Sequence, residues 1–142
     1  MTGPPPRGWS SALIGAAALH AGFQVTVTRV VYPALADLPA QSWPAAHTAH
    51  SRRIGPVVAV VYPLLALALA GRLLARPDPA ALAAATASAL TVGLTAAGAA
   101  PLHGRLGRGH DPALVQRLLR VDAARSVAAV AALVAAVAAG RG

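Results

Sequence analysis

The sequence contains no cysteine, lysine or glutamate, and charged residues make up only 11% of its 142 residues. Without cysteine, the chain has no disulfide, no thiolate metal site and no cysteine nucleophile. Soluble domains carry about 25% charged residues, so these charges are too sparse to cover a surface that faces water. A surface that faces lipid needs no charge, and an apolar content of 56% favours a membrane protein.

The charges that remain are twelve arginines and four aspartates, which give a formal net charge of +8. Nucleic-acid binding requires a basic stripe or run. Here the arginines stand singly or in pairs at the edges of apolar segments, where membrane proteins keep them. The sequence therefore predicts a lipid bilayer as the main partner and no nucleic acid.

Several catalytic motifs are also missing. The sequence has no phosphate-binding loop, no dinucleotide fingerprint, no Gly-x-Ser-x-Gly elbow and no pair of glutamates. These absences argue against a hydrolase or a nucleotide-driven machine. A transporter built from inverted repeats usually has more spans than this chain offers, unless it dimerises.

Four apolar stretches are each long enough for a membrane-spanning helix, which needs about 20 apolar residues. No stretch alternates with period two, and open backbone cannot face lipid, so the spans are predicted to be helices. The first stretch has no clear cleavage site after it and is expected to be a retained span that follows a proline-rich start, Met1 to Gly8. We predict an all-α, integral membrane four-helix bundle, one domain over residues 1–142, with spans at about 9–36, 54–74, 80–102 and 112–139.

The first connection, from Asp37 to Arg53, is expected to contain a loop because it holds Pro39 and Pro44. Trp43 is expected to anchor this loop at the membrane interface. The later part of the connection, from His47 to Arg53, is expected to form the first turns of the second helix.

Aspartates and prolines mark other helix ends. Asp78 and Asp111 each precede a proline and are expected to cap the third and fourth helices. Pro33 is expected to end the first helix, and Pro63 is expected to kink the second.

The arginines also indicate an orientation, because cytoplasmic loops carry an excess of positive charge. Six arginines lie on the side of the two longer loops and four on the other side. We therefore predict a multi-pass protein of the cell membrane with both termini outside. The two sets are Arg52, Arg53, Arg105, Arg108, Arg117 and Arg120, against Arg7, Arg72, Arg76 and Arg141.

The third span carries two stripes of small or hydroxyl-bearing residues. Small residues four apart let helices approach closely in lipid. Both stripes are expected to pack against neighbouring helices. The small-residue stripe is Ala89, Gly93 and Ala97, and the hydroxyl-bearing stripe on the same helix is Ser88, Thr91 and Thr95.

Polar groups inside a span are costly and are candidates for function. His20 and Gln24 lie one turn apart in the first span, and Asp122 and Arg125 can pair in the fourth. A structural ion pair that joins helices is the alternative interpretation of Asp122 and Arg125.

The segment His47-Thr-Ala-His50 puts two imidazoles on one helical face. His103 must lie on the same side of the membrane, and His20 could approach from below. Such a set suits zinc, copper, iron or haem. The alternative is that these histidines only contact lipid headgroups, and His110 is expected to be solvated in its glycine-rich loop.

Two regions resemble small four-helix bacterial membrane proteins of the anthrone oxygenase-like group, a family largely of unknown function. The resemblance implies a four-helix membrane fold and oxygenation of an aromatic polyketide-like substrate. In the family an asparagine is usual where His103 and Asp122 stand, and a tryptophan where Ala123 stands. By position, the resemblance implies functional roles for His50, Arg53, His103, Asp122 and Arg125. It rests on Gln24 to Pro33, His47-x-x-His50-x-Arg-Arg-Ile54, Pro101-Leu-His-x-x-Leu106 and Leu118-Leu-Arg-x-Asp122-x-x-Arg125.

The leading hypothesis is a small membrane oxidoreductase or oxygenase with a histidine-lined polar pocket near one membrane face. A histidine or Asp122 would take the substrate proton and an arginine would hold the developing oxyanion. One alternative is a non-catalytic subunit, such as an assembly or lipid-binding partner of a larger complex or a homo-oligomer. Another is a small oligomeric channel or carrier. The predicted sites are catalytic His50, Arg53, Asp122 and Arg125, cofactor-binding His20 and Gln24, and metal-binding His47, His50 and His103.

Overall fold

The computed structural model describes residues 7–141, except for the side chain of Arg7. The proline-rich start and the charge of Arg7, both used above, lie outside the described residues. Within this range every regular element is helical, and the chain forms four long helices. This confirms the predicted all-α four-helix bundle. The helices are α1 (residues 7–36), α2 (Trp43–Ala75), α3 (Pro79–Leu106) and α4 (Pro112–Arg141).

All four helices are long and apolar enough to cross a membrane. Their outer faces carry large apolar side chains, among them Leu67, Val127 and Val134, each more than 60% exposed. Several polar side chains of the spans lie inside instead, where Gln24, Thr91 and Asp122 are fully buried. This distribution is consistent with a multi-pass membrane protein, because lipid solvates apolar faces and polar groups must find partners within the protein.

The helices do not pack evenly. Helix α4 packs along both α1 and α3, and α2 packs mainly on α1, whereas α2 and α3 touch little. One apolar cluster around Trp43, Leu106 and Leu118 fills the end of the bundle that holds the 37–42 and 107–111 loops. A second cluster, which includes Leu13 and Leu65, fills the opposite half. The seam between α2 and α3 is therefore the most open part of the bundle.

Helix α2 begins at Trp43, about three turns before the predicted span. Pro44 lies in its first turn, where a proline needs no backbone donor. The predicted loop is therefore confined to residues 37–42, and the segment from His47 to Arg53 is helical as expected. The interfacial role predicted for Trp43 is wrong, because its side chain is only 1% exposed and its indole donates to the Leu106 carbonyl at 3.0 Å.

Two π-helical turns interrupt the α-helical pattern, and each stands just before a proline. Residues Val27–Val31 precede Pro33, and Thr95–Ala99 precede Pro101. A proline lacks the N–H and crowds the preceding turn, and the wider π-turn accommodates it. The prediction that Pro33 ends the first helix is therefore wrong, because α1 continues to Ala36. The second helix likewise continues through Pro63.

The predicted caps are present. Asp78 accepts from the Ala81 N–H at 2.8 Å, and Asp111 accepts from the Ala113 N–H at 2.9 Å. The Ala81 hydrogen bond, helped by Arg72, holds the pKa of Asp78 below its ordinary value. Arg72, counted above only as a flanking charge, is fully buried. It pairs with Asp78 and donates to the Ala139 carbonyl at 3.0 Å, so it joins the ends of α2, α3 and α4.

The two stripes of α3 face opposite ways. Ser88 and Thr91 are buried as predicted, but Ala89, Gly93 and Ala97 lie on the exposed surface. The expectation that the stripe of Ala89, Gly93 and Ala97 packs against another helix of the chain is therefore wrong. Helix α3 instead approaches α4 closely at Gly98, where an added Cβ would lie 2.9 Å from the Val121 side chain.

This difference predicts opposite effects of the same substitution. Gly93→Ala is expected to be neutral or to stabilise, because the added methyl meets open space and alanine favours a helix by about 1 kcal/mol. Gly98→Ala is expected to be less stable than Gly93→Ala by about 1–3 kcal/mol, since Val121 must shift. Unfolding of both variants in detergent checks this, and equal stability would contradict the packing at Gly98.

Candidate functional site

Three histidines and a tyrosine from three helices meet near the loop-bearing end of the bundle. His47 Nε2 lies 3.1 Å from His103 Nδ1, and the Tyr32 hydroxyl lies 2.6 Å from His103 Nε2. The His50 ring stacks on the His103 ring with centroids 5.9 Å apart and meets Tyr32 edge-on at 5.6 Å. The structure thus brings together His47, His50 and His103, and we call these histidines with Tyr32 the imidazole cluster.

The hydrogen bonds of the cluster form a chain with one consistent direction. When the proton of His103 is on Nδ1, that N–H donates to His47 Nε2, and His103 Nε2 accepts from the Tyr32 hydroxyl. Each group can then pass a proton toward His47. Such a chain can carry a proton between Tyr32 and the loop-bearing end of the bundle.

Aromatic side chains enclose the outer end of this chain. The Trp43 indole stacks on His47 with centroids 5.5 Å apart. His110 lies edge-on to Trp43 at 5.0 Å, so the expectation that His110 is merely solvated is wrong. Trp43 therefore covers one face of the His47 ring, and the edge of that ring lies against the 107–111 loop, where a Cβ added at Gly107 would be 3.7 Å from it.

A second polar group, the mid-bundle network, lies about halfway along the helices and is centred on Asp122. Asp122 accepts from Gln24 Nε2 at 2.7 Å and from Arg125 at 2.9 Å. The Thr28 hydroxyl also contacts both this carboxylate and the Ser126 hydroxyl. The predicted pair of Asp122 with Arg125 is therefore present, and Gln24 joins it.

Arg125 extends this network to the other two helices. It donates to the Tyr62 hydroxyl at 3.1 Å, and that hydroxyl lies 3.3 Å from the Thr95 hydroxyl. His20 packs edge-on against Tyr62 with centroids 4.9 Å apart. Because Asp122 and Arg125 are nearly fully buried, the pair is costly unless its hydrogen bonds are made, and all four helices contribute to them.

A cavity of about 260 Å³ lies between the imidazole cluster and the mid-bundle network, along the seam of α2 and α3. Tyr32, His103, Thr95 and Arg125 supply its polar atoms. Every helix contributes to its wall. We call this cavity the seam pocket, and its apolar wall consists of Phe23, Val27, Ile54, Val58, Ala99 and Ala100.

The seam pocket has the character of a small-molecule site. Such sites are mostly apolar and carry a few convergent polar groups. Here the lining includes a phenol that is hydrogen-bonded to an imidazole, and a guanidinium. These groups can accept a proton and stabilise a negative charge that develops beside them.

The imidazole cluster does not fit the predicted metal centre. A shared ion needs ring nitrogens that converge on one point, but both ring nitrogens of His103 are engaged with His47 and Tyr32. Within residues 7–141 no group of three or more metal-binding side chains could hold an ion.

Two predicted site residues lie outside this arrangement. Arg53 is exposed and lines, with one side of His50, a separate groove between α1 and α2. His20 is 1% exposed and contacts Tyr62 rather than the other histidines. Neither ring nitrogen of His20 has a hydrogen-bond partner among the described residues. The predictions that Arg53 acts catalytically and that His20 binds a cofactor find no contact that supports them.

Sequence reasoning missed the two tyrosines. Tyr32 links α1 to the imidazole cluster and Tyr62 links α2 to Arg125. In the sequence each of these tyrosines directly precedes a proline within an apolar stretch. Because a proline disturbs the helical turn before it, the Tyr-Pro pair could have marked both phenols as candidates. Thr28 and Ser126 were missed as well, because isolated hydroxyls in a span usually bond only to their own helix.

The chain matches no protein-family model, no curated protein sequence and no solved structure. The resemblance to the anthrone oxygenase-like group therefore rests on the motifs given above.

Proposed function

We propose that the protein is a small membrane oxygenase that acts on a flat, lipophilic aromatic substrate in the seam pocket. The observation that carries this proposal is one cavity that combines a proton acceptor with a positive charge. Tyr32, which hydrogen-bonds to His103, and Arg125 both line it. The resemblance to anthrone oxygenase-like proteins supplies the substrate class, an aromatic ketone with an acidic CH₂ group.

The seam between α2 and α3 supports this proposal as a route of entry. These two helices touch little, and the pocket lies along their seam with Ile54 and Val58 on one side. An aromatic molecule dissolved in lipid could enter sideways without passing through water. The proposed orientation, with both termini outside, puts the imidazole cluster near the cytoplasmic face.

The proposed chemistry uses side chains of the chain and dissolved oxygen. A CH₂ proton of the substrate passes through Tyr32 to His103, and the negative charge moves to the substrate oxygen beside Arg125. The carbanion forms a C–O bond with O₂ and gives a hydroperoxide after protonation. Loss of the second C–H proton and cleavage of the O–O bond then give C=O and water. In total CH₂ and O₂ give C=O and H₂O, so no other reductant is required.

A non-catalytic role in a larger complex is the second candidate. The observation that favours it is the exposed stripe of Ala89, Gly93 and Ala97, because small residues at this spacing suit helix pairing in lipid. A channel is less well supported. The connected polar side chains reach from one end to the middle of the bundle, and the other half contains the apolar cluster of Leu13, Ala17 and Leu65, with the Arg72–Asp78 pair at its end.

Purified protein in liposomes tests the proposal. An anthrone is added in aerated buffer, and oxygen uptake is followed together with the absorbance of the quinone. We expect protein-dependent oxidation with one O₂ consumed for each quinone formed, above the rate in empty liposomes. Metal content is measured on the same sample. Equal rates with and without protein would contradict the proposed activity and favour the partner role.

A further inference from the structure

We propose that a groove on the outer face of the bundle, between α1 and α4, binds one anionic phospholipid. The groove measures about 640 Å³ and lies on the side away from α2 and α3. It does not depend on the proposed oxygenase function. Its lining residues are Val25, Thr28, Arg29, Pro33, Ala123, Ser126, Val127 and Val130.

The charge of Arg29 identifies the ligand as an anion. Arg29 is exposed, and no described side chain forms a hydrogen bond or an ion pair with it. A guanidinium on a lipid-facing surface without a protein counter-charge is costly. An anionic lipid headgroup supplies both the counter-charge and oxygen acceptors in a geometry that suits arginine.

The depth of Arg29 fits a headgroup phosphate. Arg29 precedes the end of α1 at Ala36 by seven residues, which is about 10 Å along a helix. A long arginine side chain can bridge much of that distance and reach the interface. Arg29 is the one arginine among the residues that line this groove.

The rest of the groove fits an acyl chain. Val25, Val127 and Val130 continue from Arg29 toward the middle of the bundle and are all exposed. From Pro33 to Val25 the groove follows α1 for about 12 Å. A charge at the outer end and an apolar channel that continues inward match the two parts of a phospholipid.

The floor of the groove touches the mid-bundle network. Thr28 and Ser126 line the groove and also contact Asp122 or the Gln24 carbonyl. A lipid in the groove would therefore seal the outer side of this buried network from the bilayer.

Native mass spectrometry of the protein in mild detergent tests the proposal. The added lipids are phosphatidylglycerol and phosphatidylcholine with identical acyl chains. We expect the wild type to retain one phosphatidylglycerol and to bind phosphatidylcholine more weakly. Arg29→Gln should lower the affinity for phosphatidylglycerol about fivefold or more, as expected for one interfacial arginine, and Arg29→Lys should lower it less.

Matched variants separate the groove from general effects. Arg117→Gln removes an exposed arginine of α4 outside the groove and should leave binding unchanged. Val130→Trp fills the groove and should weaken binding, whereas Val134→Trp, exposed but outside the groove, should not. Unchanged phosphatidylglycerol binding in both Arg29→Gln and Val130→Trp would overturn the proposal. Equal binding of the two lipids to the wild type, or loss of a dimer instead of a lipid in Arg29→Gln, would also overturn it.

Discussion

Replacement of Asp122 by alanine is expected to lower the free energy of unfolding by about 3–5 kcal/mol. The substitution leaves the guanidinium of Arg125 buried without its carboxylate, and it also removes the acceptor of Gln24 and Thr28. Stability is measured by denaturation in mixed detergent micelles with a helical signal. The matched control is Asp111→Ala, which removes a partly exposed helix cap and should cost about 1 kcal/mol.

A double variant shows whether the cost of Asp122→Ala comes from the unpaired charge. Asp122→Ala combined with Arg125→Met removes both charges, and the protein should regain part of the lost stability, because replacing both partners of a buried pair is often tolerated. If the double variant is less stable than either single variant, the cost does not come from an unpaired charge, and each side chain stabilises the bundle through its other hydrogen bonds. If Asp122→Ala lowers the free energy of unfolding no more than Asp111→Ala does, the result would contradict the buried network around Asp122.

Substitution of Tyr32 by phenylalanine is expected to lower kcat for anthrone oxidation about 100-fold or more, since general acid–base catalysis contributes about 10²–10⁴-fold. The variant keeps the ring that lines the seam pocket and removes only the hydroxyl that connects it to His103. The KM for the substrate should therefore change little. His103→Gln should show the same pattern, because it interrupts the same chain.

His110→Gln provides the control for these variants. His110 packs against Trp43 but is outside the hydrogen-bonded chain, so its replacement should leave kcat within a few fold of the wild type. Thermal unfolding of each variant shows that the bundle remains intact. A Tyr32→Phe variant with full kcat, or one in which only KM changes, would contradict the role of the chain in proton transfer.

The number and type of the helices were predictable from the sequence because length and apolarity decide whether a segment can cross a bilayer. The polar residues of the spans were predictable for a related reason. Gln24, Asp122 and Arg125 are costly in lipid and must find one another. The pairing of Asp122 with Arg125 follows the expectation from their spacing, whereas the bond from Gln24 to Asp122 was not predicted.

The direction of most side chains was not predictable. In an alanine-rich span both the lipid-facing side and the buried side are apolar, so periodicity does not identify the inner face. This is why the stripe of Ala89, Gly93 and Ala97 was placed inside, although it is exposed. For the same reason Arg53 and Arg125 were both predicted to be catalytic, although of the two only Arg125 lines the seam pocket.

The two π-turns are a second reason why the directions of side chains could not be predicted from the sequence. Each adds one residue to a turn and rotates the following part of the helix by about 100° relative to a regular α-helix. Tyr32 follows one π-turn and His103 follows the other. Extrapolation at 3.6 residues per turn therefore assigns these two side chains to the wrong faces, and their contact could be found only in three dimensions.

The most direct test of the seam pocket compares two neighbouring residues of α2. Val58 lines the pocket, whereas Val57 points outward and is 42% exposed. Oxygen uptake with an anthrone is measured for Val58→Trp and Val57→Trp, together with their thermal unfolding. We expect Val58→Trp to lose activity because its ring fills the pocket, and Val57→Trp to match the wild type. Equal activity of the two folded variants would contradict the assignment of the reaction to this pocket.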